Sequence, residues 1–334
     1  MPLDRGSTTV ASDVDISPVR PSFRTLLLIC VVGAALLATP ALASEPLSDM
    51  DASFQSLAVN AKGEALVTYR RTDGKARHVL VWGGLNAVTA TDQSVHQVRF
   101  SYDYAGGWGR YHKAAYWSTF KNGCSPYDGP ALVYFVFACK APDGSYWAIQ
   151  RWQRALPLLG FDPWKPSQTA FELHLSHWTG ELSKIEVHSH WTYGGQWQGL
   201  FGRFTYLGQP IFGFGSTGEG NPFDRYGRNV YIDTFNSAYG SGWKRESGIL
   251  VHKGTGTFCH SFVPQKPFPD YPSQATRPPA PGERYRITVM GAGVTPVIQW
   301  EGPGLTTADR ASAASVTSIF DQVMAGDRKC APER

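Results

Sequence analysis

The chain has 334 residues and a formal net charge of +4, with 17% charged and 13% aromatic residues. This length fits one large domain or two smaller ones, and the mild positive charge is spread without a basic run, which argues against binding to nucleic acid. All 11 tryptophans lie after residue 43, and therefore outside the N-terminal segment that is predicted below to be a signal peptide.

Residues 1–43 have the pattern of a secretory signal peptide. An apolar run at residues 26–38 follows two arginines and precedes a small-residue site that ends at Ala43. The run is too short to span a bilayer, which takes about 20 apolar residues. We therefore predict cleavage after Ala43, a secreted or extracytoplasmic, envelope-associated location, and membrane contact only through an uncleaved signal. Residues 44–334 are predicted to form a single secreted β-rich domain.

The predicted mature chain keeps an even set of four cysteines, which is typical of an exported protein with disulfides. Four cysteines allow three connectivities. The residues between Cys124 and Cys139 can fold back locally, so we favour a disulfide between these two, with a second between Cys259 and Cys330 that ties the tail to the last strand region. A zinc site is the alternative, but no two of these cysteines have the close spacing that such sites use.

Most of the predicted elements are antiparallel β-strands. Three alternating runs at residues 54–82 are separated by short turns, one of them Asp-Gly, and a second hairpin surrounds the turn at residues 142–144. Further strands follow, interrupted by a proline-rich strap at residues 264–282. A helix is predicted at residues 307–325, docked on a sheet edge. The fold class is therefore mainly β, an antiparallel sandwich-like or irregular β domain with a C-terminal α-helix.

Residues 171–193 hold four of the nine histidines and are predicted to form a hairpin that turns at residues 179–181. If Leu173 and Leu175 face the core together with the apolar residues of the second strand, residue 173 pairs with residue 187 and residue 175 with residue 185. The opposite, solvent-facing surface then carries a candidate metal or polar site. Its residues are Glu172, His174, Glu186, His188 and His190.

Three interpretations of this His–Glu face stay open. Imidazole and carboxylate groups are ligands that zinc takes. A glutamate beside a histidine can instead act as a general base in a hydrolase, although no catalytic residue is identified. Opposite charges that face each other across two strands are the plainest interpretation. Oxygen ligands at Asp224, Asn229 and Asp233 are of the kind that holds calcium, but their spacing does not match a 12-residue helix-loop-helix site, so ordinary turn residues are the favoured interpretation. We expect no cofactor, with a divalent metal, zinc or calcium, as the alternative.

The aromatic residues carry the leading functional hypothesis. Tryptophans in an exported β-rich protein either pack in the core or form flat platforms on which sugar rings stack. We predict a binding module for a polar polymer such as carbohydrate, with a cell-wall or extracellular glycan as partner. The alternatives are a metal-assisted or His/Glu-dependent hydrolase and a structural envelope protein without a small-ligand site. The candidate platform residues are Trp108, Tyr111, Trp117, Trp191 and Trp197.

Several stretches taken together resemble a family of secreted bacterial proteins of uncharacterised function. They are VNAKGEALVTYRR with HVLVWGGLNA, KAPDGSYWAIQRWQRALPLLGFDPW, LSHWTGELSKIEVHSHW, LFGRFTYLGQPIFGFGS and YGRNVYIDTFNSAYGSGWKRE. The resemblance covers nearly all of the predicted mature chain. It implies export and a single unit, and it implies no activity, substrate or catalytic residue.

Overall fold

The computed structural model describes residues 44–47, 49–85, 100–104, 115–153, 169–193, 197–211, 229–249, 251, 255–264, 281–303 and 313–324. These residues all belong to one compact unit that spans residues 40–334. Strands make up 56% of the described residues and helix 6%, which confirms the mainly β fold. The predicted signal peptide, residues 265–280 of the predicted strap and both ends of the predicted helix lie outside the described residues.

Two of the four antiparallel sheets, A and B, come from the first half of the described chain. Sheet A contains β1 (Glu45–Pro46), β6 (Ser125–Pro126), β7 (Phe135–Lys140), β8 (Tyr146–Trp152) and β9 (Glu172–Trp178), which lie side by side in the order β1-β9-β8-β7-β6. Sheet B is a meander of β2 (Ser53–Val59), β3 (Ala65–Arg70), β4 (Ala76–Gly83) and β5 (Phe100–Tyr104). The predicted Asp-Gly turns are confirmed, because Gly74 and Gly144 adopt φ values of 80° and 86°, which glycine reaches without strain.

The other two sheets, C and D, come from the second half. Sheet C contains β10 (Lys184–Tyr193), β11 (Trp197–Tyr206), β12 (Gln209–Pro210) and β15 (Thr257–Ser261), with β11 between β10 and β15. Sheet D contains β13 (Val230–Ser237), β14 (Gly240–Ile249), β16 (Arg284–Val289) and β17 (Ile298–Pro303), in the order β14-β13-β16-β17. Most of β14 was not predicted as a strand, because its glycine- and charge-rich first half lacks an apolar alternation.

Each pair of sheets encloses its own hydrophobic core. Sheets A and B pack around side chains such as Val67, Val79 and Trp147, all of which are fully buried. Sheets C and D pack around a second set that includes Phe204 and Ile287. Burying a large apolar side chain stabilises a fold by about 1.5–3 kcal/mol relative to exposure, so these two cores hold the two β-sandwiches together.

The connection between β16 and β17 joins the two sandwiches. The Gln150 side chain on β8 donates hydrogen bonds to the carbonyl oxygens of Val133 (2.8 Å) and Val297 (2.9 Å), and its oxygen accepts from the Val297 amide at 2.8 Å. On the same side of the sheet, the Trp152 ring meets the Tyr231 ring of sheet D edge to face at 5.2 Å. Sheet A is therefore covered on both faces where β8 and β9 run.

The C-terminal helix, α1 (Ala313–Met324), packs on sheet C. Its Phe320 ring meets the ring of Phe201 at 5.1 Å, and Val323 and Met324 are buried in the same cluster. Because Phe201 lies on β11, the middle strand of the sheet, the helix covers a sheet face. The prediction that it docks on a sheet edge was wrong.

The cysteines follow the predicted pairing as far as the structure describes them. Cys124 and Cys139 form a disulfide that ties β7 to the segment before β6. Cys259 is also disulfide-bonded, which fits the predicted pair with Cys330, a residue outside the described part of the chain.

Candidate functional site

Glu172 and His174 lie on β9, a strand whose every residue is buried. Their side chains share the face of sheet A that carries Gln150 and Trp152, since these residues are their partners across β8. His174 is 0% exposed and Glu172 is 8% exposed. The prediction that these two side chains face solvent was wrong, and no substrate in solution can reach His174.

The contacts of His174 define where its protons lie. Its Nδ1 is 2.8 Å from the carbonyl oxygen of Ser44, and its Nε2 is 3.1 Å from Glu172 Oε2. A carbonyl oxygen only accepts, so Nδ1 carries a hydrogen and donates it. One further proton then lies between Nε2 and Oε2, on the ring or on the carboxyl group. The contact with Ser44 ties the residue before β1 to β9.

Glu186 and His188 form a second pair with the same spacing on β10. The distance from His188 Nε2 to Glu186 Oε1 is 2.9 Å, and Arg203 on β11 donates to the other carboxylate oxygen at 3.4 Å. The His188 ring also stacks on Phe201 at 5.0 Å. The side chains of His188 and Glu186 are 27% and 44% exposed, so this pair is a surface feature of sheet C.

The predicted hairpin of β9 and β10 does not exist. Strand β9 pairs with β1 and β8, whereas β10 pairs with β11. The proposed cross-strand partners are therefore on different sheets, and each glutamate instead contacts the histidine two residues later on its own strand. The side chain of His190 lies outside the described residues. The five predicted residues do not share one face.

A third histidine–glutamate contact lies between sheets C and D and was not predicted. His260 on β15 and Glu246 on β14 are 8% and 0% exposed, and His260 Nε2 is 3.6 Å from Glu246 Oε1. This separation is longer than a hydrogen bond. Burial therefore dominates and lowers the pKa of His260 to about 4, which keeps the ring neutral at pH 7. No spacing along the chain links residues 246 and 260, so the sequence held no signal for this contact.

Of the predicted aromatic platform, the structure describes the side chain of Trp117 alone. Trp117 is 42% exposed and stacks flat on His78 with ring centres 4.2 Å apart. Desolvation lowers the pKa of His78, so a neutral imidazole supports the exposed indole at pH 7. The remaining platform residues lie outside the described residues, in whole or by side chain: Trp108, Tyr111, Trp191 and Trp197.

A cleft of about 440 Å³ opens beside the 3₁₀ turn that carries Trp117. One wall is the loop that follows this turn, and the other is the turn between β2 and β3. The cleft combines two aromatic rings, which meet edge to face at 6.3 Å, with charged and amide side chains. The polar, charged and aromatic residues that line it include Asn60, Lys62, Glu64, Tyr116, Phe120 and Lys121.

Both walls of this cleft are held in place. Asn60 accepts hydrogen bonds from the amides of Lys62 (2.9 Å) and Glu64 (3.1 Å) and fixes the first turn. On the other side, Asn122 accepts from the Val59 amide at 3.1 Å and docks the loop onto β2. The Cys124–Cys139 disulfide follows two residues later. The cleft is therefore rigid before any ligand arrives.

Sheet D presents a second group of polar and aromatic side chains that the sequence interpretation missed. The carboxylate of Asp233 binds two guanidinium groups, from Arg245 and Arg286, so this residue holds cationic side chains in the place where a calcium ion was considered. Arg284 and Arg286 alternate with buried residues on β16. This alternation was visible in the sequence and is the signal that could have placed both arginines on one face.

Among the residues that the structure describes, no group of three or more histidine, cysteine, aspartate and glutamate side chains is arranged to hold a metal ion. Within the same residues, no helix is both long and apolar enough to cross a bilayer.

Comparison of the chain with protein-family models, with curated proteins and with solved structures finds no match. The resemblance to secreted bacterial proteins therefore stays a prediction. The class that the fold and site define is a mainly β protein of two packed sandwiches with a rigid, partly aromatic cleft.

Proposed function

We propose that this chain is a secreted or envelope-associated protein that binds a polar polymer of the carbohydrate class. The observation that supports the proposal is the cleft of about 440 Å³ that Tyr116 and Phe120 line. The exposed Trp117 follows Tyr116 on the same 3₁₀ turn. Pockets of roughly 300–1,000 Å³ that combine apolar rings with a few polar groups are the usual form of small-ligand sites. The leader pattern of residues 1–43, the disulfide and the resemblance to secreted bacterial proteins support export.

The chemistry of the cleft suits a sugar ring. The flat faces of Tyr116 and Phe120 offer surfaces for the C–H face of a pyranose, as aromatic rings do in apolar contacts. Lys62 and Lys121 offer hydrogen-bond donors to ring hydroxyl groups. Because the walls are fixed by Asn122 and the disulfide, little conformational freedom is lost on binding, which favours affinity.

The test is retention on glycans. Protein recovered after export from an expressing bacterium is applied to peptidoglycan, cell-wall glycans and a glycan array. Phe120→Ala and Trp117→Ala are each expected to weaken retention on the bound glycan at least about tenfold, which corresponds to about 1.4 kcal/mol. The matched control is Phe135→Ala, an aromatic residue on β7 that is 55% exposed and lies away from the cleft. Absence of retention on every glycan, or equal losses in Phe120→Ala and Phe135→Ala, contradicts the proposal.

A further inference from the structure

The face of sheet D that turns away from sheet C meets sheet A at Tyr231, whose ring contacts that of Trp152 at 5.2 Å. The same face carries a row of arginine and aromatic side chains that the cleft does not use. Phe235 on β13 pairs with Trp243 on β14 and with Arg284 on β16, so these three side chains stand in one row across the sheet. The three strands are hydrogen-bonded to each other, which fixes the row on a rigid surface. The neighbouring row holds Arg245, Asp233 and Arg286.

The aromatic rings order the arginines. The guanidinium carbon of Arg284 is 4.4 Å from the centre of the Phe235 ring and 5.4 Å from that of Trp243. The guanidinium carbon of Arg286 is 4.4 Å from the centre of the Trp243 ring. Such cation–π contacts hold a planar cation against a ring. The Arg284 side chain is nevertheless 47% exposed, so its remaining N–H groups are reachable from solvent.

The charges on this face do not balance. Asp233 is 1% exposed, and its Oδ2 accepts from Arg286 Nη2 at 2.7 Å and from Nε at 3.0 Å. Its Oδ1 accepts from Arg245. One carboxylate neutralises only one of the two guanidinium groups, and Arg284 is already paired with Glu301 at 2.6 Å. These three guanidinium groups and two carboxylates therefore sum to a net charge of +1. The side chains of Arg245 and Arg286 are 12% and 19% exposed, so this charge reaches solvent mainly at Arg284, where partial burial makes it attract an anion more strongly than a fully hydrated charge does.

We propose that this face binds a carboxylate-bearing polysaccharide of the uronic-acid type. One sugar ring lies against Trp243, and its carboxylate accepts hydrogen bonds from Arg284 and Arg286. The planar fork of a guanidinium group matches the two oxygens of a carboxylate. The pairing of an indole with two arginines selects this ligand, because the indole offers a stacking surface for a sugar ring and the arginines offer donors to its acidic group.

The experiment compares one polymer with and without its charge. Binding of the whole protein to polygalacturonate is measured by calorimetry at low and at high salt, beside binding to the same polymer in its neutral methyl-esterified form. We expect binding to the acidic form that weakens as salt rises. Arg284→Gln and Trp243→Ala are each expected to weaken the affinity for polygalacturonate at least about tenfold. A loss of this size corresponds to one charge-assisted hydrogen bond or one buried ring. Glu301→Gln, which removes the carboxylate that competes for Arg284, is expected to tighten binding roughly two- to fivefold.

The matched control is Arg151→Gln. Arg151 also lies over an aromatic ring, that of Phe171 at 4.3 Å, but it belongs to sheet A, so its loss should leave binding unchanged. Equal affinity for the acidic and the esterified polymer overturns the inference, as does wild-type affinity in Arg284→Gln with unchanged melting temperature. Polyphosphate that binds as tightly as polygalacturonate shows a general anion surface and also overturns the assignment to an acidic sugar.

This inference is independent of the cleft beside Trp117. Phe120→Ala is expected to leave the salt-dependent binding of polygalacturonate unchanged, and Arg284→Gln is expected to leave retention on neutral glycans unchanged. Each proposal can therefore fail while the other stands.

Discussion

Two short segments of this chain, Glu-Leu-His at residues 172–174 and Glu-Val-His at residues 186–188, have the same spacing and form the same contact. The nitrogen–oxygen distances are 3.1 Å and 2.9 Å. Their surroundings are opposite, since His174 is fully buried in sheet A and His188 is partly exposed on sheet C. The spacing of two residues along a strand brings the groups together, and the packing of the sheets decides what the contact contributes.

The buried pair is the more consequential of the two. A charged or proton-sharing pair that is enclosed by protein leaves an unsatisfied group when one partner is removed, and this costs about 3–5 kcal/mol. An exposed pair exchanges its partner for water and contributes about 0.2–1 kcal/mol. The same three-residue pattern should therefore differ several-fold in its effect on stability.

Removal of the buried carboxylate gives the largest expected effect. Glu172→Ala should lower the free energy of unfolding by about 3–5 kcal/mol, because His174 Nε2 then has lost the carboxylate that it contacts. Glu172→Gln should cost less, because the amide NH₂ can donate to Nε2 of a neutral ring whose Nδ1 still donates to Ser44. Urea unfolding at pH 7 measures both. Similar losses in Glu172→Ala and Glu186→Ala would contradict the comparison.

The sequence pattern predicts that residues 172–178 and 184–193 form strands, but it does not predict the sheet to which each strand belongs. The alternation of Leu173 and Leu175 with polar residues correctly placed both leucines in a core. It also suggested solvent on the other side, because polar residues occupy the alternate positions. That face is in fact covered: Ser44 contacts His174, and the β16–β17 connection, more than 100 residues later in the chain, binds Gln150, the partner of His174 on β8. A pattern within one strand cannot report a second layer that a distant segment supplies.

The candidate sites were predictable to different degrees for the same reason. Trp117 was predicted as a platform residue from local composition alone; its side chain is 42% exposed, and its role as a platform stays a prediction. The cleft beside it needed knowledge that the loop after Trp117 docks on the turn after β2, a contact made by Asn122. The arginine face needed β14, a strand that the prediction missed over most of its length.

The second-largest expected effect is a loss of stability at acid pH that comes from the buried histidines. The pKa of His260 is lowered from about 6.5 to about 4 by burial, and burial also lowers the pKa of His177. Below pH 6.5 the unfolded chain takes up a proton that the folded chain refuses until about pH 4, so stability present above pH 6.5 is lost as the pH falls through this window. The loss from His260 should approach about 1.4 kcal/mol per pH unit.

Thermal unfolding between pH 7.5 and pH 4.5 checks this slope. His260→Gln should flatten it, because glutamine does not titrate, whereas Ser261→Ala on the same strand should leave it as in the wild type. An unchanged slope in His260→Gln would show that the ring is charged inside the sandwich, which its burial between sheets C and D argues against.

The exposed pair gives the smallest effect and the clearest dependence on salt. Glu186→Gln removes the charge that contacts both His188 and Arg203, and it should lower the free energy of unfolding by about 0.5 kcal/mol at low ionic strength. At 1 M salt the Debye length falls to about 3 Å, so this difference should vanish. The loss in Glu172→Ala should persist at the same salt concentration, because water and ions do not reach the His174 ring. Urea unfolding of both variants at low and high salt measures this difference in salt dependence. If the loss of stability in Glu186→Gln persisted at high salt, the Glu186–His188 pair would be shielded from solvent as the Glu172–His174 pair is, and the comparison would be contradicted.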